Sequence, residues 1–334
     1  MNFTKVQGAG NDFILVEASE VNPDWSQMAV AMCDRHFGIG ADGLLVLLPS
    51  HLADFQMHIF NPDGSEAEAC GNGLRCLAKY VIDKGLLSRK IEGAKPLQNL
   101  SLPLSFKGEG DKGGEVDRVR KSNGVDKEFL GKGLADTETQ EILVETVAGI
   151  RKVRIYRARG KPAKIQVGMG EPKFRAEDIP VVIELGKGDL VDIKPMLSYS
   201  ITVGSKELLL NFVSMGNPHA IYFGQYPVSD FPLSQLGPEV ERHKMFPNRV
   251  NFEVANVISR RQIEARVWER GVGETLACGS GACAVAVAAQ LLGYIDNKVD
   301  VKLPGGILEV EWDKVGEVLL GGPAEIVFTG EWSR

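Results

Sequence analysis

The sequence predicts an α+β fold, strand-rich and with few helices, built as two similar lobes. Three observations predict it. Short β-runs outnumber helical stretches along the chain. Two helices each begin just after a Cys-Gly-polar-Gly turn, at Cys70 and at Cys278. The phrase around the first turn, "EAEACGNGLRC", nearly recurs as "GETLACGSGAC" toward the C-terminus.

Taken in order, "FTKVQGAGNDFILVEA" reads as a strand, a Gly-rich turn and a second strand. "AVAMCDRHFGIGADGLLVLLP" reads as a helix, a glycine loop and an apolar strand. "FQMHIFNPDGSEAEAC" reads as a strand followed by an Asn-Pro-Asp-Gly turn. After Cys70, the spacing of Leu74, Leu77, Ala78, Val81 and Ile82 predicts a helix closed by Gly85. The segment from about 91 to 140 is rich in glycine and charge and, after Phe106, poor in large apolar residues, so it predicts a loosely ordered surface insertion. Many short β-runs follow, from "ILVETV" to "IEARVWE". A helix is expected over about 281–292, then the strands of "VDVKLPGGILEVEWD" and "EVLLGGPAEIVFTG".

The 334 residues are 44% hydrophobic and 25% charged, an ordinary globular composition with room for two domains. A net charge of −6 argues against a nucleic-acid or anionic-membrane partner. No apolar run is long enough to span a membrane, and the first residues lack a signal-peptide core, so a cytoplasmic location is expected. The five cysteines, Cys33, Cys70, Cys76, Cys278 and Cys283, do not read as a disulfide framework.

The two cysteine phrases align as an ordered set. Glu66 and Glu274 each stand four residues before the cysteine, and Phe60 and Trp268 each stand ten before it. Gly-Asn turns at Asn11 and Asn217 precede the two phrases at nearly equal distance. An internal duplication with a pseudo-twofold axis accounts for that order. Each cysteine sits where a loop enters a helix, so free backbone N–H groups and the helix dipole point at it. That position can lower a thiol toward the thiolate and can bind a carboxylate. Two such ends facing one α-carbon predict two-base racemisation, one thiolate removing a proton and the opposite thiol returning one.

At these residues the chain resembles the diaminopimelate epimerases, a family of cofactor-independent amino-acid racemases. The motifs carrying the resemblance are "GAGNDF", "GIGADG", "FNPDGSEAEACGNGLRC", "SMGNPHA", "FPNRVNFEV", "ERGVGETLACGSGACA" and "LPGGILEV". The resemblance implies lobes of mixed sheet, each wrapped round a central helix, with the site in the cleft between them. It divides the chain into an N-terminal lobe, 1–168, carrying the insertion and completed by 323–334, and a C-terminal lobe, 169–322. It implies conversion of LL- to meso-diaminopimelate with no cofactor and no metal, and a homodimer is expected. Residue by residue, Cys70 and Cys278 match the acid/base pair. Gly71 and Asn72, with Gly279 and Ser280, match the donors to the reacting carboxylate. Asn11 matches a residue near the reacting amino group. Asn61, Asn217, Asn251 and Arg270 match a clamp on the distal amino-acid centre, with Glu269 an acid beside it. His219 matches a histidine near the site. Gly43 and Ala220 depart from members that carry Gln and Cys there.

Other readings compete. Free cysteines are mostly small buried hydrophobes, and Cys33, Cys76 and Cys283 are read so. Zinc is disfavoured because both second cysteines lie inside apolar helices. "GAGNDF" lacks the third glycine and following helix of a dinucleotide loop. Glu66 and Glu274 read as structural, capping helices or bridging turns. A racemase of another amino acid, such as histidine or hydroxyproline, would not need the distal clamp, and a redox module would use Cys70 and Cys278 as a reversible disulfide. Removing residues 91–140 is expected to leave activity nearly unchanged. Loss of soluble expression or of kcat on that deletion would show that the segment packs on or gates the cleft.

Overall fold

The computed structural model describes residues 1–18, 24–67, 70–88, 137–158, 161–182, 190–193 and 196–333. The first copy of the repeat runs β1 (Asn2–Gly8), β2 (Asn11–Glu17), α1 (Trp25–Cys33), β3 (Gly43–Leu48), β4 (Phe55–Phe60), β5 (Glu66–Ala67), α2 (Gly71–Asp83), β6 (Thr137–Thr146), β7 (Gly149–Ala158) and β8 (Lys161–Gly168). Two strands, β9 (Leu190–Ile193) and β10 (Met196–Val203), lead into the second copy. That copy runs β11 (Lys206–Ser214), β12 (Pro218–Phe223), α3 (Leu233–Glu241), β13 (Asn251–Ser259), β14 (Gln262–Glu269), β15 (Gly273–Thr275), α4 (Gly279–Leu291), β16 (Lys298–Leu303), β17 (Gly306–Glu311) and β18 (Leu319–Gly322). The last strand, β19 (Glu325–Glu331), returns to pair antiparallel with β1.

The pairing pattern repeats as well as the order. β1 and β2 are antiparallel, β2 and β3 parallel, β3 and β4 antiparallel, and β4 and β6 parallel. β11 through β16 repeat those four relations strand for strand. The register repeats too: Phe60 faces Glu66 across β4 and β5, and Trp268 faces Glu274 across β14 and β15. The equivalent strands β8 and β18 pair with each other antiparallel, as a twofold axis between the copies requires. The fold is therefore α+β, a mixed sheet with few helices.

In each copy one helix is enclosed and one lies outside. Leu74, Leu77, Ala78 and Val81 of α2 pack with Val6, Phe13, Leu45, Ile59, Val144 and Ile165 from the surrounding strands. Burying each leucine contributes about 1.5–3 kcal/mol. Helix α4 is buried almost all round, and its Ala and Val side chains let Val213, Ile221, Ile263, Val301 and Leu308 close in on it. On the outer faces, Trp25, Ala29 and Met32 of α1 cover Ile14, Leu44 and Val46, while Leu233, Leu236 and Val240 of α3 cover Phe212, Phe252 and Val254. No helix among the described residues is long and apolar enough to cross a membrane.

Two details differ from the expectation. Helix α3 is absent from the sequence reading; its segment "PLSQLGPEVE" carries two prolines, a residue that disfavours a helix interior. Pro232 stands at its N-cap and Pro238 lies within it. The segment assigned to the insertion also ends too late. Residues 91–136 lie outside the described residues, but Thr137–Gln140 begin β6 and pair with Ala158 back to Ile155 of β7. The outer end of a hairpin needs backbone pairing and β-branched residues, not large apolar ones, so a count of apolar residues missed it.

Candidate active site

Each predicted acid/base sulfur caps a helix. Cys70 has extended backbone, and its Sγ accepts from Gly73 N at 3.4 Å at the start of α2. Cys278 repeats the geometry at the start of α4, accepting from Gly281 N at 3.4 Å. The sulfurs thus occupy the place where Ser or Asp usually satisfies an N3 donor. The two helix starts meet. A Cβ built on Gly279 would stand 3.5 Å from Asn72 Oδ1 and 3.9 Å from Asn72 N. Leu320 closes the floor beneath both: its Cδ2 would lie 2.8 Å from a Cβ on Gly71 and 3.0 Å from one on Gly279. A side chain at either position would have to displace Leu320, and at Gly71 Met169 as well.

On the first copy's side, Asn72 Nδ2 donates to Asn11 Oδ1 at 3.1 Å, and Asn11 Nδ2 donates to Asp42 Oδ2 at 2.8 Å. The Cys70 thiol points at the same Asn11 Oδ1, 3.9 Å away. On the second side a hydrogen-bonded chain runs inward from the sulfur. Cys278 Sγ lies 3.5 Å from Ser280 Oγ, which accepts from Asn217 Nδ2 at 3.3 Å. Asn217 Oδ1 lies 2.9 Å from His219 Nε2, and His219 Nδ1 lies 2.7 Å from Glu253 Oε1. His219 and Glu253 are fully buried, and Glu253 Oε2 has no partner among the described residues.

The charges are uneven. Burial pushes the Cys70 thiol up, while the N–H groups of Gly73 and Asn72 pull it back. Burial pushes Cys278 further, and the nearby Glu269 and Glu253 carboxylates add to that. The sequence expectation of lowered thiols is therefore corrected: desolvation outweighs the helix N-terminus. Burial also raises the Glu269 carboxyl, against hydrogen bonds from Thr275 and from the Cys278 thiol. Cys76 and Cys283 are fully buried with thiols pushed up to about 12, and Cys33 likewise, as inert core residues.

The residues expected to clamp a distal group are placed differently from one another. Asn217 is turned toward Ser280 and His219, as above. Asn251 is buried and braces a turn, donating to Pro218 O at 3.1 Å and accepting from Arg270 N at 2.8 Å. The Arg270 guanidinium is exposed and donates to Asn248 O at 3.2 Å. Asn61 bonds within its own turn, to Ser65 Oγ at 2.9 Å. Glu269, expected beside the clamp, lies at Cys278, with its carboxylate accepting from Thr275 Oγ1. Glu66 and Glu274 bridge strands in equivalent ways, to His58 and to Arg266.

Four residues at the site were not singled out from sequence: Asp42, Arg75, Glu241 and Glu253. Arg75 carried one signal, a charge on a helix otherwise destined for the core. Glu253 carried another, a charge in the apolar strand "VNFEVANVI". Glu241 is held by geometry alone. It is 3% exposed, and its Oε2 accepts from Trp268 Nε1 at 2.9 Å and its Oε1 from Gly271 N at 3.0 Å, fixing the turn that carries Arg270. Burial pushes its carboxyl up, but the bonds from Trp268 and Gly271 prevail and hold it below the usual range. A carboxylate with a lowered folded pKa stabilises above its unfolded pKa, and that stability is lost as pH falls through the folded value. Glu241→Gln keeps the shape but replaces one acceptor with a donor. It is expected to lower stability at neutral pH by about 1–3 kcal/mol and to flatten the acid limb, read from urea melts across pH. Melts identical to wild type would contradict this.

The comparisons place this geometry. The family model described as diaminopimelate epimerase matches residues 3–110 and 211–327. A diaminopimelate epimerase of Pelotomaculum thermopropionicum is 40% identical, with 99% of each chain covered. One of Methanococcus maripaludis is 39% identical at the same coverage. Among solved structures, a phenazine biosynthesis protein of the PhzF family from Bacillus anthracis superposes with TM-score 0.59 at 15% identity, covering 100% of this chain and 99% of its own. A probable proline racemase from Agrobacterium radiobacter reaches TM-score 0.59 at 13% identity, covering 99% and 92%. These two share the fold. The chain belongs to the diaminopimelate epimerase family.

Proposed function

We propose that this protein interconverts LL- and meso-2,6-diaminopimelate without a cofactor, a step toward lysine and peptidoglycan precursors. The observation that carries the reading is the pair of cysteine-capped helix starts meeting at Asn72 and Gly279. The reacting carboxylate would lie on the N–H groups of Gly71, Asn72, Gly279 and Ser280, where unpaired donors and two helix dipoles favour an anion. One thiolate then takes the α-proton, and the C–H electron pair passes into the carboxylate as an enediolate. The thiol on the opposite face gives its proton to the same carbon and is left as the thiolate. One S–H bond forms and one breaks, with no net oxidation.

The surrounding groups have distinct tasks on this reading. Asn11 faces the amino group and the Cys70 sulfur. Glu269, whose carboxyl is already raised by burial, accepts a hydrogen bond from the Cys278 thiol and holds it beside the reacting carbon. His219 and Glu253 hold Asn217 and Ser280 against that sulfur. Arg270, with Asn61, Asn217 and Asn251, is the clamp for the distal amino-acid centre, and its planar fork suits bidentate carboxylate binding. Binding energy from that end positions the reacting carbon between the sulfurs. We also place the enzyme in the cytoplasm as a homodimer. The exposed Val327 and Phe328 on β19, which pairs with β1, support such an assembly.

The test is incubation with LL-diaminopimelate in D2O. One deuterium per turnover is expected at the inverted α-carbon, with none at the distal centre. Faster turnover of a one-headed amino acid such as histidine or hydroxyproline would replace this reading with that of a different racemase.

A further inference from the structure

Among the described residues Arg75 is the one fully buried arginine or lysine side chain. Its side chain is fully buried in the enclosed helix α2, and its Nε and Nη1 have no hydrogen-bond partner among the described residues. The titratable groups acting on it are the thiols of Cys76, Cys70 and Cys283, with no carboxylate among them. A Cβ on Gly322 would stand 3.2 Å from its Cζ, so β18 closes over it. Burying an unpaired guanidinium is costly, and an apolar residue of similar size would suit a merely structural position better. The duplication sharpens the point. Arg75 stands five residues after Cys70, and the residue five after Cys278 is Cys283. The fold accepts a small neutral side chain at the equivalent place.

The one bond Arg75 makes leads to the site. Its Nη2 donates to Asn72 Oδ1 at 2.7 Å, Asn72 Nδ2 donates to Asn11 Oδ1 at 3.1 Å, and Asn11 Nδ2 donates to Asp42 Oδ2 at 2.8 Å. Every donor in this chain points the same way, from the buried cation to the carboxylate. Both amides are thereby locked in one orientation, with Asn11 Oδ1 toward the Cys70 thiol. The two sulfurs face different charges: Glu269 and Glu253 both raise the Cys278 thiol, whereas at Cys70 Glu269 raises the thiol and Arg75 opposes it.

We propose that Arg75 is a positioning residue for proton transfer: a buried counter-charge that orients Asn72 and Asn11 and places the resting thiolate on Cys70 rather than Cys278. This rests on the two-cysteine reading above. The burial cost is tolerated because the cleft always holds an anion, either a thiolate or the substrate's carboxylate.

The experiment measures alkylation of Cys70 and Cys278 separately by mass spectrometry, as a function of pH, in wild type, Arg75→Met and Arg75→Lys, with each fold checked by circular dichroism. Wild-type Cys70 is expected to react at lower pH than Cys278. In Arg75→Met the Cys70 midpoint rises by about one to three units, the gap between the two sulfurs closes, and neutral-pH kcat/KM falls on the order of tenfold. Arg75→Lys restores the gap at least in part. Should Arg75→Met not fold, Arg75→Gln removes the charge while keeping an amide donor for Asn72 and gives the same readout. A Cys70 midpoint unmoved by loss of the charge would overturn the proposal. Alkylation needs no turnover, so it separates this idea from the substrate assignment, which fails only if the wild type does not epimerise diaminopimelate.

Discussion

Two helix starts buried against each other leave backbone N–H groups with no partner from the helix and little water to replace one. That unmet demand organises the rest of the molecule. It calls for a cap that can accept a hydrogen bond, and the cysteines meet it at equal distance in both copies. It favours glycine at 71 and 279, where Leu320 stands against the place a Cβ would take. The same helix-start donors are what the proposed carboxylate would use. The enclosing strands and the β8–β18 pair across the pseudo-twofold axis hold the two ends in place.

The same burial works against the chemistry it enables. Desolvation raises both thiols, so neither ionises readily from the helix dipole alone. The surrounding charges are not symmetric. The first copy contributes a buried cation through the Asn72–Asn11 chain, and the second contributes carboxylates at Glu269 and Glu253. A duplicated fold thus carries an unduplicated electrostatic environment, suited to two sulfurs that must differ in protonation at every moment of a proton transfer.

Much of this was legible in the sequence because duplication prints the same residues twice. The paired cysteine phrases and the helices that follow them came from spacing, and the enclosure of those helices from the family resemblance. The missed helix α3 was legible by the same route. It occupies the place of α1, between the second and third strands of its copy, although its segment carries two prolines. Arg75, Glu253 and Glu241 were hidden for another reason. Each acts through a partner distant in sequence or through burial, and a local pattern gives no measure of either. The contact of Glu269 with Cys278 is of that kind: Trp268, Glu269 and Arg270 are adjacent in sequence, and the turn held by Glu241 and Asn251 sets where each side chain goes.

The most direct test of two opposed sulfurs is to remove them one at a time. Cys70→Ala and Cys278→Ala should each keep the native circular dichroism spectrum and lose epimerisation of diaminopimelate by several orders of magnitude, since each deletes the only acid or base on one face. Substantial turnover by either folded variant would contradict the account.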